Sequence, residues 1–99
     1  MNSQFPIDLQ LMKQGAQVLR ALKNGQRQKI LRLIHQKQRI TVTEIYVAIR
    51  IEQSAASQHL AILREQGFVN TERNGKQIYY SINYTKLESV GQTIAELLQ

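Results

Sequence analysis

The sequence predicts a mostly helical α+β fold of about five helices, with a two-stranded β-hairpin before the last one. Three observations predict it. Apolar residues recur at three- and four-residue spacing through most of the chain, the period of a single helix face. Asn74-Gly75 stands between two runs of β-prone residues, the strongest two-residue hairpin signal. Two helical patterns ahead of that hairpin are separated by only a short turn, so that one helix can brace the next.

The first helix is expected over 7–24, with Pro6 before it and Asp8 as its cap. Leu9, Met12, Ala16, Leu19 and Leu22 form an apolar stripe. Leu11 and Val18 lie off the stripe, which widens either the core face or a surface for a partner. Asn24-Gly25 resets the pattern. A second helix, about 26–36, turns Ile30, Leu31 and Ile34 inward and carries Arg27, Lys29, Arg32 and Lys37 on its remaining surface.

Arg39-Ile40-Thr41 is a short β-prone piece. The third helix starts at Glu44 and runs to about Arg50, with Ile45, Ala48 and Ile49 inside and Tyr46 partly exposed. Thr41-Val42-Thr43-Glu44 has capping-box spacing, so either threonine can serve as the cap. Ser54 then caps a fourth helix, about 55–66, whose Ala56, Leu60 and Leu63 point inward. Gly67 suits the left-handed position that ends a helix. Residues 44–66 thus read as a helix-turn-helix.

Strands are expected over 68–73 and 76–82. A type I′ turn at Asn74-Gly75 sets Arg73 opposite Lys76, Thr71 opposite Ile78 and Val69 opposite Tyr80, with Val69, Thr71, Ile78, Tyr80 and Ile82 sharing a core-facing side. A hairpin alone is marginal in water, so 68–82 must pack on the helices as a wing. Thr85-Lys86-Leu87-Glu88 reads as a capping box opening a fifth helix over 85–98, with Leu87, Val90, Ile94, Leu97 and Leu98 in a stripe. Residues 1–99 together make a single winged helix-turn-helix domain. Helices 7–24 and 85–98 either fold back on their own core or pair with a second copy. The second reading makes Leu9, Met12, Leu19, Val90, Ile94 and Leu97 the candidate dimer interface.

Composition narrows the function classes. Ninety-nine residues with 42% hydrophobic content suit one globular domain with its own core. There is no 18-residue apolar run, and the first residues do not read as a secretory signal, so the expected location is the cytoplasm, with no membrane partner. Without cysteine there is no disulfide, thiolate metal site or thiol switch. The net charge of +6 is uneven: residues 1–50 carry nine basic and two acidic side chains, residues 51–99 four and five. A basic half suits a polyanion, or serves solubility. Seven scattered carboxylates, two unpaired histidines and no phosphate-cradling glycine loop give no catalytic constellation, and the chain reads as a non-enzyme.

The fourth helix is the candidate for double-stranded DNA. Ser57 and Gln58 sit in its first turn, where such helices touch base edges, and glutamine can pair bidentately with adenine. His59 can donate to a base or a phosphate. Ser54 can cap and touch phosphate, and Arg64, two turns on, suits phosphate. Arg73 and Lys76 at the wing tip can reach phosphate or the minor groove, or simply guard the hairpin edge. Arg27, Lys29 and Arg32 are further candidates for flanking phosphate. In the bland reading each is a solvated surface residue.

Residues 20–82 resemble the ArsR/SmtB family of bacterial winged-helix repressors. The resemblance rests on LKNGQRQKILRLI (Leu22 to Ile34), SAASQHLAILREQGFV (Ser54 to Val69) and RNGKQIYYSI (Arg73 to Ile82), the second carrying the pattern S-x-x-S-x-H-L-x-x-L-x-x-x-G. It implies a homodimer paired through its first and last helices, an imperfect inverted-repeat operator, and repression relieved by an inducer, here an unknown small molecule or protein. The chain departs from the metal-sensing members. Thr41-Val42-Thr43 stands where they carry C-V-C, and the last helix offers Glu88 and Glu96 but no histidine. Arg50 stands where the family often has glycine. The resulting expectation is a homodimeric DNA-binding repressor with no metal or other cofactor. Two alternatives remain: a winged-helix protein–protein module, or a metal sensor built from carboxylates with His35 or His59.

Overall fold

The structure, a computed structural model, describes residues 5–99; residues 1–4 of the expected domain lie outside it. Its elements are α1 (Leu9–Lys23), α2 (Gly25–Lys37), β1 (Ile40–Thr41), α3 (Val42–Ile49), α4 (Gln53–Glu65), β2 (Val69–Asn74), β3 (Gln77–Ile82) and α5 (Tyr84–Leu97). The mostly helical α+β layout is the one expected. The sheet is larger than the hairpin: β1 pairs antiparallel with β3, Ile40 opposite Tyr80 and Thr41 opposite Tyr79, giving the order β1-β3-β2.

The core gathers Ile30 and Ile34 of α2, Ile40, Ile45 of α3, Leu60 and Leu63 of α4, and Phe68 at the entry to the sheet. Burying each such side chain stabilises the fold by about 1.5–3 kcal/mol. Val69 and Ile82 close the core beneath the hairpin. Ala48 and Ile78, expected inside, are exposed. Ala48 lies on the solvent side of α3, and Ile78 is too far along the hairpin to reach the helices.

α1 adds only its C-terminal end to this core. Ala21 is buried, Val18 and Leu22 pack on the edge, and Leu9, Leu11, Met12 and Leu19 face solvent. In α5, Leu87 and Val90 pack on the core while Leu97 stays 72% exposed. The radius of gyration, 16.2 Å, exceeds the roughly 13 Å of a compact 100-residue domain. The excess reflects helices that carry apolar surface away from the core.

The helix ends show which caps won. Asp8 accepts from the backbone N–H groups of Gln10 and Leu11 and starts α1 as expected. Thr41, not Thr43, caps α3, and it forms the full capping box with Glu44. Ser54 is not a cap. α4 begins at Gln53 behind Glu52, which is extended (φ −65°, ψ 146°) and makes no side-chain cap bond, so Ser54 lies inside the first turn. α5 begins at Tyr84 with Asn83 as cap, not at Thr85, because the Asn83 amide also serves a tertiary contact: it donates to the Gly67 carbonyl at 2.9 Å.

The hairpin register differs from the expected one by two residues. Asn74 pairs with Gln77, Arg73 with Ile78, Thr71 with Tyr80 and Val69 with Ile82, leaving Gly75-Lys76 as the turn. Only Gly75 has positive φ (65°), as the first central residue of a type II′ turn requires. The expected register would have set the like charges Arg73 and Lys76 directly opposite each other, which is destabilising. It would also have left buried Ile82 without Val69. Since the shift is even, each side chain keeps its face of the sheet.

Candidate nucleic-acid interface

α3 and α4 are joined by Arg50, Ile51 and Glu52 alone. Arg50 makes the turn by adopting the left-handed conformation (φ 64°, ψ 50°) that glycine takes without cost, and its N–H and that of Ile51 both donate to the Tyr46 carbonyl. α4 ends in a Schellman motif: Phe68 N–H donates to the Leu63 carbonyl and Gly67 N–H to that of Arg64, with Gly67 at φ 82°. Phe68 then enters the core and β2 follows at once. Wing and helix therefore share one joint.

Ala56, Leu60 and Leu63 pin α4 to the core. At about 100° per residue, Ser54, Gln58 and Ala61 then point directly away from it. Ser57 and Arg64 lie to one side and His59 to the other. Ser54, Ser57, Gln58, Ala61 and Arg64 are exposed; His59 is only partly so. Its Nδ1 sits 3.2 Å from Nη1 of Arg27. Burial first, and the Arg27 charge second, hold the imidazole below its ordinary range.

Arg27 was a candidate for flanking phosphate, but the structure withdraws it. It is 7% exposed, and its guanidinium also donates to the carbonyls of Ala21 (2.8 Å) and Arg20 (3.1 Å) at the end of α1. Lys29 and Arg32 remain exposed. The signal missed in the sequence was position: Arg27 lies three and seven residues before Ile30 and Ile34, on their buried stripe.

At the wing tip Arg73, Asn74 and Lys76 are all exposed. Arg39, which was not singled out in the sequence, braces the hairpin. It stacks 3.6 Å from the centre of the Tyr79 ring and pairs with Glu72 at 3.2 Å. Glu72 is paired with Arg39, and the tip beyond it carries the positive charges of Arg73 and Lys76.

The positions weighed for metal are occupied otherwise. The Thr41 hydroxyl is buried and exchanges hydrogen bonds with Glu44. His35 Nδ1 lies 2.7 Å from the Tyr84 hydroxyl, which also accepts from Gln38 Nε2 at 3.2 Å. Among the described residues no three histidine, aspartate or glutamate side chains gather as a metal site, and no helix is long and apolar enough to cross a membrane.

The profile of the bacterial regulatory protein, arsR family, matches residues 24–71, from the cap of α2 to the start of the wing. The chain is 30% identical over 96 residues to the transcriptional activator HlyU of Vibrio cholerae, covering 93% of this chain and 88% of that one. It is 31% identical over 84 residues to the transcriptional repressor PagR of Bacillus anthracis, covering 85% and 84%. The solution structure of the homodimeric winged helix-turn-helix DNA-binding domain of Mb0332 from Mycobacterium bovis superposes with a TM-score of 0.73 at 32% identity, covering 97% of this chain and 91% of that one. With these relatives spanning nearly all of both chains, and with the helix-turn-helix and wing in place, the chain belongs to the arsR family of bacterial regulatory proteins, DNA-binding transcription regulators.

Proposed function

We propose that this protein is a homodimeric repressor that binds an inverted-repeat operator in the cytoplasm and needs no metal to do so. The observation that carries the reading is the outer face of α4, where Ser54, Ser57 and Gln58 stand exposed beside a wing tip bearing Arg73 and Lys76. Gln58 and Ser57 read base edges in the major groove. Ser54, in the first turn, receives a phosphate with the help of the helix N-terminus. Arg64, Arg73 and Lys76 neutralise the backbone on either side.

Dimerisation rests on the apolar residues that the core leaves out. Met12 and Leu19 of α1 face Val90, Ile94 and Leu97 of α5 across a groove of ≈ 600 Å³. A second copy of the same pair of helices fills it, as an isologous two-fold contact would. The homodimer reported for the Mb0332 domain supports pairing with a second copy. Two reading helices related by a two-fold axis demand half-sites of inverted sequence. The metal-free reading is supported by Thr41, whose hydroxyl is spent on the capping box. Release from DNA then falls to a small molecule, a protein partner or the protein's own abundance.

Selection of bound duplexes from a random DNA pool tests the reading. The expected product is an inverted repeat, and Gln58→Ala lowers discrimination between that duplex and random DNA by about 1–3 kcal/mol. Recovery of no preferred sequence would overturn it. Zinc calorimetry on the free protein tests the metal-free part, and tight stoichiometric binding would refute it.

A further inference from the structure

We infer that Arg27 is a positioning residue for DNA recognition: it ties the last turn of α1 to the His59 imidazole and holds that ring with its one N–H, on Nε2, open to a backbone phosphate. The inference rests on α4 being the helix that reads DNA.

Arg27 is a buried cation with no carboxylate partner among the described residues. Such a charge is tolerated only where hydrogen-bond acceptors surround it. The acceptors are the end of α1. The last four carbonyls of a helix have no partner inside it, and they form the negative end of its dipole. In α1 these belong to Arg20, Ala21, Leu22 and Lys23. Arg27 Nε donates to Ala21 and Nη2 to Arg20, while Gln28 Nε2 takes Leu22 at 2.8 Å. α2 thus seals the end of α1 with two side chains. The third arm of the guanidinium, Nη1, is not needed for that seal, and it is the arm that meets His59.

That contact has one direction. Guanidinium nitrogens donate and never accept. Nδ1 of His59 must therefore accept, which keeps it free of a proton and leaves the neutral ring with its N–H on Nε2. Nε2 is not among the buried polar atoms left without a partner, and the ring is partly exposed. His59 lies on the flank of α4, away from the outward line of Ser54 and Gln58, so the group it meets is the backbone at the rim of the groove. The same fork that fixes the ring also grips α1, so a shift of that helix moves the donor.

The free protein and its DNA complex give separate readouts. In the free wild type, ¹⁵N spectra of the imidazole should show Nε2 protonated and Nδ1 bare. Arg27→Lys keeps a charge on the α1 carbonyls but cannot also reach His59, because an ammonium is a single point rather than a fork. It should preserve the fold, release the ring to a mixture of tautomers and raise its titration midpoint. Affinity for the duplex selected from the random pool should fall about tenfold in both Arg27→Lys and His59→Ala, the loss of one hydrogen bond to a charged group. On the His59→Ala background Arg27→Lys should cost nothing more, because the two act as one unit. A proton on Nδ1 in the wild type would overturn the inference, as would undiminished binding by His59→Ala, or an equal Arg27→Lys penalty on both backgrounds. If the wild type selects no duplex, the DNA reading itself fails, and the spectra still report whether Arg27 orders the ring.

Discussion

Asn83 joins two elements through one amide: its nitrogen donates to the carbonyl of Gly67 at 2.9 Å, and its oxygen accepts from Lys86 N–H at 3.2 Å. Its backbone N–H meanwhile donates to Phe68 at 2.9 Å. Gly67, which ends α4, and the first turn of α5 therefore share the Asn83 side chain, and Phe68 at the entry to the wing is held by the same residue's backbone. Asn83→Ala should cost about 2 kcal/mol in urea unfolding, the sum of a lost cap and a lost carbonyl partner. Asn83→Asp keeps the cap and should cost less; equal costs would show that the cap contributes nothing.

Stability should fall on acidification in two stages. His59 is held below its ordinary 6.5 by burial and by Arg27. The unfolded chain therefore takes up a proton that the folded chain refuses, and stability declines as pH drops through that value. Glu44 is held below its ordinary 4.5 by the backbone N–H and the hydroxyl of Thr41, so its contribution is present above that value and fades further into acid. His59→Gln should remove the first stage and Thr41→Ala should shrink the second, with a cap cost of about 1 kcal/mol at neutral pH. Thermal melts between pH 2 and pH 8 check both, and a first stage that survives His59→Gln would assign it to another group.

Arg50→Gly should stabilise the protein. A non-glycine residue in the left-handed region costs about 1–3 kcal/mol, part of which glycine gives back in unfolded-chain entropy. A net gain of about 1 kcal/mol is expected in the midpoint of chemical unfolding. A loss would mean that the Arg50 side chain stabilises the turn by more than the strain costs.

Ile94→Glu should break the dimer. The residue lines the apolar groove between α1 and α5, and in the proposed dimer a charge there would face the partner's apolar stripe. Sedimentation should show a monomer with unchanged helical content, and binding to the full inverted repeat should collapse toward that of a half-site. A dimer that survives would place the seam elsewhere.

Lys76→Gln should weaken binding to operator and random duplexes alike. A wing-tip phosphate contact carries no sequence information, and losing it reduces the slope of log affinity against log salt by about one. A change in sequence preference instead would mean that Lys76 reads the minor groove.

Where the sequence was legible, the signals were local. Asp8, Thr41-Glu44 and Gly67 each fix a helix end through neighbours within six residues; Asp8 and Gly67 could be read from the sequence, while capping-box spacing left Thr41 and Thr43 both open. Where it was not, a distant partner decided between local options. Thr85 and Asn83 both suit a cap, and Asn83 prevailed because Gly67, 16 residues away, needed its amide. Asn74-Gly75 and Gly75-Lys76 both make a turn, and the second prevailed because it pairs Val69 with Ile82 in the core. Arg27 and His59 are 32 residues apart. No spacing rule links them, though the buried stripe of α2 pointed Arg27 inward.

The joint at Gly67 has one more consequence. Every backbone N–H from Gln66 to Phe68 is spent, two of the three carbonyls there are held by Asn83, and Phe68 is sealed in the core. Helix and wing are jaws forged from one piece. A single jaw cannot be bent to loosen its grip, so in the proposed dimer, paired through α1 and α5, a signal that freed the protein from DNA would work as a hand works callipers, by changing the span between two stiff jaws.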